Sequence, residues 1–197
     1  MEIYDISQEV FSSRVYPGDP TPEKRTLASM VAGDLYNLTA FSMCAHNGTH
    51  LDAPAHFMAD GKTVDALPLS SVVGIAHVIE HQGEVRATDA LQILKDAQKS
   101  NAEAARRILI KGDATLTEEG AQVFADAKVL LFGNESQTVG PEAAPMAVHK
   151  ILLGADTVLL EGIRLQNVSA GVYLLVAAPL LLGGAEGAPC RAVLVQL

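Results

Sequence analysis

Val129-Leu130-Leu131-Phe132, followed by a helix-forming run from Pro141 to Leu153 and then by Thr157-Val158-Leu159-Leu160, decides the fold. The two flanking runs are short and apolar, the pattern of strands buried on both faces. The run between them carries proline near its first turn, where a missing N–H costs nothing. The same alternation extends upstream. Ile108 to Ile110 reads as a strand, and Thr117-Glu118-Glu119-Gly120 opens a helix that runs to Asp126. Strand–helix–strand repeats at this spacing predict a parallel or mixed sheet with crossover helices.

Further outward, Thr88 to Gln98 reads as a helix with Thr88 as its N-cap. Ala90, Leu91, Leu94 and Ala97 would form its buried face. Val72 to Ile79 reads as a strand covered on both sides. Arg25 to Val31 and Leu35 to Ala45 read as strands of an antiparallel, partly exposed sheet, and Glu2 to Ile6 as a short strand. Gly171 to Leu182 and Arg191 to Gln196 supply two more. No internal repeat or low-complexity linker interrupts the chain, so residues 1–197 are expected to form one α/β domain.

Composition narrows the function. Of 197 residues, 49% are hydrophobic and 19% charged, which excludes intrinsic disorder. The longest apolar stretch, Val172 to Leu182, contains Pro179 and is shorter than the roughly 20 residues a membrane span needs. A net charge of −9, with no basic cluster larger than Arg106-Arg107, argues against a nucleic-acid or anionic-membrane partner. The N-terminus, Met1 to Ser7, lacks the basic and apolar regions of a signal peptide, so the cytoplasm is the expected compartment. Cys44 and Cys190 are expected as buried apolar thiols.

The chemistry concentrates in His46-Asn47-Gly48-Thr49-His50-Leu51-Asp52-Ala53-Pro54-Ala55-His56-Phe57, which holds three of the six histidines together with a carboxylate. Imidazole and carboxylate are ordinary ligands of Zn²⁺ and Mn²⁺. On a helix, Asp52 would point away from His46 and His50. On an extended strand, positions 46, 50 and 52 share a face, but the two ends would stand about 20 Å apart at roughly 3.3 Å per residue. One ion therefore requires the segment to curl, with Gly48 as the bend and Pro54 fixing the exit. Asp52 could instead cap the turn before Pro54. Downstream, His149 and Glu161 are two isolated candidates. Glu161 ends an apolar strand, where open α/β sheets place ligands. A hydrogen-bonded helix histidine and a solvated strand end are their plainer readings. His77 and His81 read as structural or exposed.

This segment resembles the HxGTHxDAPxHF signature of the cyclase family of metal-dependent hydrolases, which includes kynurenine formamidases and isatin hydrolases. Tyr16-Pro17-Gly18-Asp19-Pro20 is similar to that family's aromatic-PGDP turn, and Gly74 to Ile79 to its strand after the site. His149 to Leu153 with Glu161 is similar to its late ligand pair, and Gly187 to Ala192 to its closing GxPxRA strand. The resemblance implies a swivelling β/β/α fold. It also implies a first metal on His46, His50 and Asp52, with Asp52 bridging to a second on His149 and Glu161. A single-ion version would use His46, His50 and Asp52 alone. His56 would give and take protons rather than bind metal.

The resemblance further implies a divalent cofactor (Zn²⁺ or Mn²⁺, two ions per chain), a small-molecule amide substrate and a homodimer or homotetramer. Tyr16 stands where formamidases place a tryptophan to stack on the substrate, and the chain has no Trp at all. The family's Gly-x-Asp-x-x-Ser turn reads Gly133-Asn134-Glu135-Ser136-Gln137-Thr138, and its Thr-Gly reads Lys111-Gly112. A lactam or lactone ring-opening hydrolase and a non-catalytic metal-binding protein are the alternative functions.

Overall fold

The computed structural model describes residues 1–196. The first part of the chain forms β1 (Glu2–Asp5), β2 (Glu23–Ala28), β3 (Leu38–Ser42) and β4 (His50–Asp52). A one-turn helix α1 (Leu69–Val72) leads into β5 (Val73–Glu80), β6 (Gly83–Val85) and α2 (Ala87–Ser100). There follow β7 (Arg107–Lys111), β8 (Ala114–Leu116), α3 (Glu118–Asp126), β9 (Leu131–Asn134), α4 (Met146–Gly154) and β10 (Val158–Glu161). The chain closes with β11 (Gly171–Val176), β12 (Gly187–Pro189) and β13 (Val193–Gln196).

Among the described residues, nine strands form one mixed sheet in the order β1-β13-β11-β5-β7-β9-β10-β4-β12. The centre, β5-β7-β9-β10, is parallel, and α2, α3 and α4 are its crossovers. The expected α/β class with a mixed sheet and crossover helices is therefore what forms. Leu109, Leu131 and Leu160 fill the core on one side of the sheet. Ile108, Ile110, Phe132 and Leu159 fill the other, against Ile93 of α2, Phe124 of α3 and Leu152 of α4. Alternate residues of each central strand thus enter different cores, which is why these strands read as unbroken apolar runs.

Local chemistry moved several boundaries. Helix α2 is capped at Arg86, whose main-chain N–H donates to the Asp89 carboxylate at 2.9 Å, so Thr88 lies inside the first turn. Its buried face is Ala90, Ile93 and Ala97, whereas Leu91 is exposed. Helix α4 starts at Met146 rather than Pro141, because a second proline at 145 disfavours helix before it. Strand β9 starts at Leu131 rather than Val129, and β11 stops at Val176, ahead of Pro179. The hairpin of β2 and β3 is antiparallel as expected, but Met30–Ala32 forms a 3₁₀ turn in place of the strand end. Cys44 and Cys190 are free and only half-buried. No helix is long and apolar enough to cross a membrane among the described residues.

Candidate metal centre

The centre forms where β4 inserts between β10 and β12. Register places Glu161 opposite His50 and Leu159 opposite Asp52. Leu159 faces the helix side of the sheet, so His50, Asp52 and Glu161 point there too. The chain reaches β4 through a tight bend. Gly48 sits at φ +65°, in the left-handed region open to glycine. Asn47 braces the bend, its Oδ1 accepting the Cys44 N–H at 2.7 Å. Pro54 then starts a 3₁₀ turn, Pro54–His56, that carries His56 back over the site. The expected curl at Gly48 and exit at Pro54 are both present. Helix α4 closes the site by lowering His149 onto the carboxylates.

Three overlapping clusters result. His46, His50 and Asp52 form one, Asp52, His149 and Glu161 a second, and the half-buried His46, His56 and Glu186 a third, with the ligand-type atoms of each within 4.8 Å of one another. Asp52 belongs to the first two, so it is the carboxylate that links them and not a turn cap. His50 Nε2 lies 3.4 Å from Asp52 Oδ1 and 3.3 Å from Glu161 Oε2. His149 Nε2 lies 3.6 Å from Asp52 Oδ2 and 3.1 Å from Glu161 Oε1. A tetrahedral ion with bonds of about 2.0–2.1 Å holds its ligand atoms roughly 3.3–3.4 Å apart. Of the pairs within one cluster, His50–Asp52 and the two His149 pairs bracket that spacing, while His46 Nδ1 stands closer to Asp52 Oδ1, at 2.8 Å.

Hydrogen bonding tests the fit independently. His50 Nε2 and Asp52 Oδ2 are buried and have no hydrogen-bond partner. Buried polar atoms are nearly always satisfied, and a ligand-type nitrogen and oxygen left without partners among these residues fit a bound cation. Their far atoms are anchored. His50 Nδ1–H donates to the Gly48 carbonyl at 3.1 Å, and His149 Nδ1–H to the Pro145 carbonyl at 2.8 Å. Both leave Nε2 as the atom that faces the carboxylates. The donor set and its tautomers fit a divalent metal.

Charge in the metal-free chain tells the same story. Burial alone would lower the pKa of His50, but Asp52 and Glu161 outweigh it and raise it to about 10. Burial likewise opposes, and Glu161 with Asp52 overcomes it, in raising His149 to about 9. Burial would raise Asp52, yet His46 and His50 hold it well below the ordinary carboxylate range. Asp52 thus stays ionised and demands positive charge, which protons on the histidines supply when metal does not.

His56 behaves differently. Burial lowers its pKa against the opposing pull of Asp52, and the neighbouring His46 and His149 add to the lowering, which favours the neutral imidazole. Its ring stacks on His46 at 4.1 Å and stands 6.2 Å from the ring of His149. It lines a cavity of about 260 Å³ with His46, His50, Asp52, His149 and Glu161. Tyr16 and Phe57 form its apolar wall. Tyr16 is fixed there by its hydroxyl, which donates to the Glu142 carbonyl at 2.8 Å. A larger cavity of about 490 Å³ lies behind the bend and holds none of these ligand-type groups. His77 is buried in β5 and His81 meets the Glu84 carbonyl, so neither joins the centre.

The support for the bend lies in residues the sequence did not single out. Gln137 Nε2 donates to the carbonyl of Gly48 at 3.0 Å and of His46 at 3.3 Å. Gln8 Nε2 donates to Gln137 Oε1 at 2.7 Å and to the Gly162 carbonyl at 2.8 Å. Thr49 Oγ1 also donates to the Gly162 carbonyl at 2.8 Å. Glu161 is steadied by the Val139 N–H, donated to Oε1 at 2.8 Å. Glu186 reaches His46 Nε2 at 3.2 Å.

Residues 4–161 match the protein family described as "Putative cyclase". The chain belongs to the cyclase family. A kynurenine formamidase of Salinibacter ruber (strain DSM 13855 / M31) is 32% identical over 210 residues and covers 98% of this chain and 97% of its own. Cyclase-like protein 1 of Oryza sativa subsp. japonica is 32% identical over 199 residues, covering 91% of this chain and 73% of its own. A solved structure described as a potential metal-dependent hydrolase with cyclase activity superposes with a TM-score of 0.82 at 26% identity, over 98% of this chain and 96% of its own. Isatin hydrolase A from Labrenzia aggregata shares the fold, with a TM-score of 0.80 at 21% identity over 100% of this chain and 94% of its own.

Proposed function

We propose that residues 1–197 act as one metal-dependent hydrolase domain that cleaves an amide-type C–N bond of a small, non-peptide substrate, in the manner of an arylformamidase. The observation that carries this reading is the buried, unpartnered pair His50 Nε2 and Asp52 Oδ2 at the junction of the two clusters that share Asp52. His56 stacks on His46 and faces the cavity, and although it also groups with His46 and Glu186, this reading assigns it the proton and not the metal.

In this reading His46, His50 and Asp52 hold one ion, and Asp52, His149 and Glu161 hold a second. Zn²⁺ and Mn²⁺ both suit the donors. Two such ions against the charges of Asp52 and Glu161 leave the centre net positive. When bound, divalent metal supplies the polarisation that makes water nucleophilic near neutral pH and draws charge from a carbonyl oxygen. The chain's own groups do the rest. His56, favoured as the neutral imidazole, takes the proton of the attacking water and returns it to the departing amine. Tyr16 and Phe57 give the cavity an apolar wall against which an aromatic ring can lie. The kynurenine formamidase relatives support an N-formyl arylamine as the substrate class.

The chain is proposed to work as a homodimer or homotetramer. Leu27, Val31, Leu35, Tyr36 and Phe41 stand exposed on the β2–β3 hairpin, and Leu180 to Leu182 form a second exposed apolar run. A lone two-stranded hairpin with so much apolar surface is poorly stable without cover.

Assays of metal-loaded protein against N-formylkynurenine, isatin and simple lactones test the substrate class. The formamide is expected to turn over fastest. Turnover of the lactones alone would replace the arylformamidase reading with ring opening, and no turnover of any would overturn it.

A further inference from the structure

His46 is held the opposite way round from the other two histidines of the clusters that share Asp52. His50 and His149 anchor Nδ1 on main-chain carbonyls and present Nε2. His46 places Nδ1 2.8 Å from Asp52 Oδ1, whereas its Nε2 lies 3.2 Å from Glu186 Oε1. A neutral imidazole carries one proton, and the nitrogen that bears it is lost as a ligand. Asp52 competes for that proton at Nδ1 until it binds metal itself, and an acceptor at Nε2 then favours the tautomer that leaves Nδ1 free. At His46 that acceptor is a carboxylate rather than a carbonyl.

The carboxylate's place is set by the sheet. The Glu186 carbonyl accepts the Ala53 N–H at 2.9 Å, just past the ends of β4 and β12. The next residue, Gly187, lets the ring lie against the backbone, since a Cβ there would stand 2.6 Å from His46 Cε1. His56 stacks on His46 at 4.1 Å. Ring position is thus fixed by packing, and what remains to be fixed is which nitrogen holds the proton.

We propose that Glu186 is a positioning residue that holds the His46 proton on Nε2 and so presents Nδ1 to the first metal. The inference rests on the ligand set proposed above. Carboxylate–histidine–metal arrangements of this kind raise ligand basicity, and losing the outer partner typically weakens metal binding about 10–100-fold. The Glu186 side chain is 45% exposed, so water can replace it in part and the effect is graded.

The test is metal affinity, measured by chelator competition with Zn²⁺ on the intact protein, alongside the absorption spectrum of the Co²⁺ form. Glu186→Ala is expected to weaken one of the two binding steps about 10–100-fold and to shift the Co²⁺ bands, with the Tm of the metal-free protein unchanged. Glu186→Gln, which keeps an acceptor oxygen, is expected to recover most of that affinity. Unchanged affinity in Glu186→Ala, or equal losses in both variants with a lowered metal-free Tm, would overturn the proposal. His46→Ala separates this from the ligand assignment. If it also leaves both binding steps intact, the ligand set itself fails. If it abolishes one step while Glu186→Ala changes nothing, only the role of Glu186 falls.

Discussion

The metal-centre strands β4 and β10 and the hairpin of β2 and β3 lie at opposite ends of the same physical scale. In the first, polar and charged groups are buried: His50, Asp52, His149 and Glu161 are each at most 3% exposed. In the second, apolar groups are exposed, with Val31 at 99% and Leu35 at 93%. Each inversion of the usual inside–outside rule needs a partner that the chain alone does not supply. For the centre that partner is cationic, and for the hairpin we propose an apolar face of a second copy. The difference also sets what a mutation is expected to do. A change in the centre would remove chemistry, and a change in the hairpin would remove company.

The sharpest way to break the contrast is Asp52→Asn, since Asp52 serves both clusters. It is expected to empty both ion positions and lower turnover by about 10³-fold or more, as loss of several kcal/mol of transition-state stabilisation implies. Metal analysis of the purified variant checks this, and full metal content would break the shared-carboxylate account. His56→Ala is expected to cost about 10²–10⁴-fold in turnover while both ions stay bound. Loss of an ion in that variant would make His56 a ligand.

Gln137→Ala leaves two carbonyls of the bend without their donor. It is expected to destabilise the fold by about 1–3 kcal/mol in chemical denaturation. A charge-linked prediction follows from the raised pKa values of His50, about 10, and His149, about 9. Both lie above the free-histidine value of 6.5, so protonation stabilises the metal-free fold fully below about pH 6.5. That contribution disappears as pH rises through 9 to 10. Metal must displace those protons. Binding at pH 7 is expected to release about two protons per chain, read by calorimetry in buffers of different ionisation enthalpy, and affinity is expected to rise with pH. The smallest effect on the fold belongs to the hairpin. Val31→Glu with Leu35→Glu is expected to change protomer stability by about 0.5 kcal/mol or less, yet to abolish self-association in sedimentation velocity. An unchanged assembly would remove the hairpin from the interface.

How much of this was legible in sequence follows from where the determinants sit. Strands β7, β9 and β10 were legible because both their faces are buried, so their residues are apolar without interruption. The start of α4 was not, since Pro141 and Pro145 both suit a first turn and only the structure decides between them. Leu91 misled because it lies about 100° round from Ala90, at one edge of the expected face, whereas the buried stripe turns the other way, towards Ile93. His46, His50, Asp52 and His56 could be read together because one short bend carries them all. His149 and Glu161 were unremarkable singly and gained meaning only from the family resemblance. Gln8, Gln137 and Glu186 gave no signal. Glutamine and glutamate are common surface residues, and these act across gaps of 129 and 140 positions that only the closed sheet brings together.

The central claim is that two overlapping clusters share Asp52 and leave His56 free to move protons. Anomalous diffraction at the zinc and manganese edges, from crystals of the metal-loaded protein, tests it most directly. The account predicts two peaks per chain, one beside His46, His50 and Asp52 and the other beside Asp52, His149 and Glu161, with His56 bound to neither. A single peak closed by His56 as a ligand would contradict it.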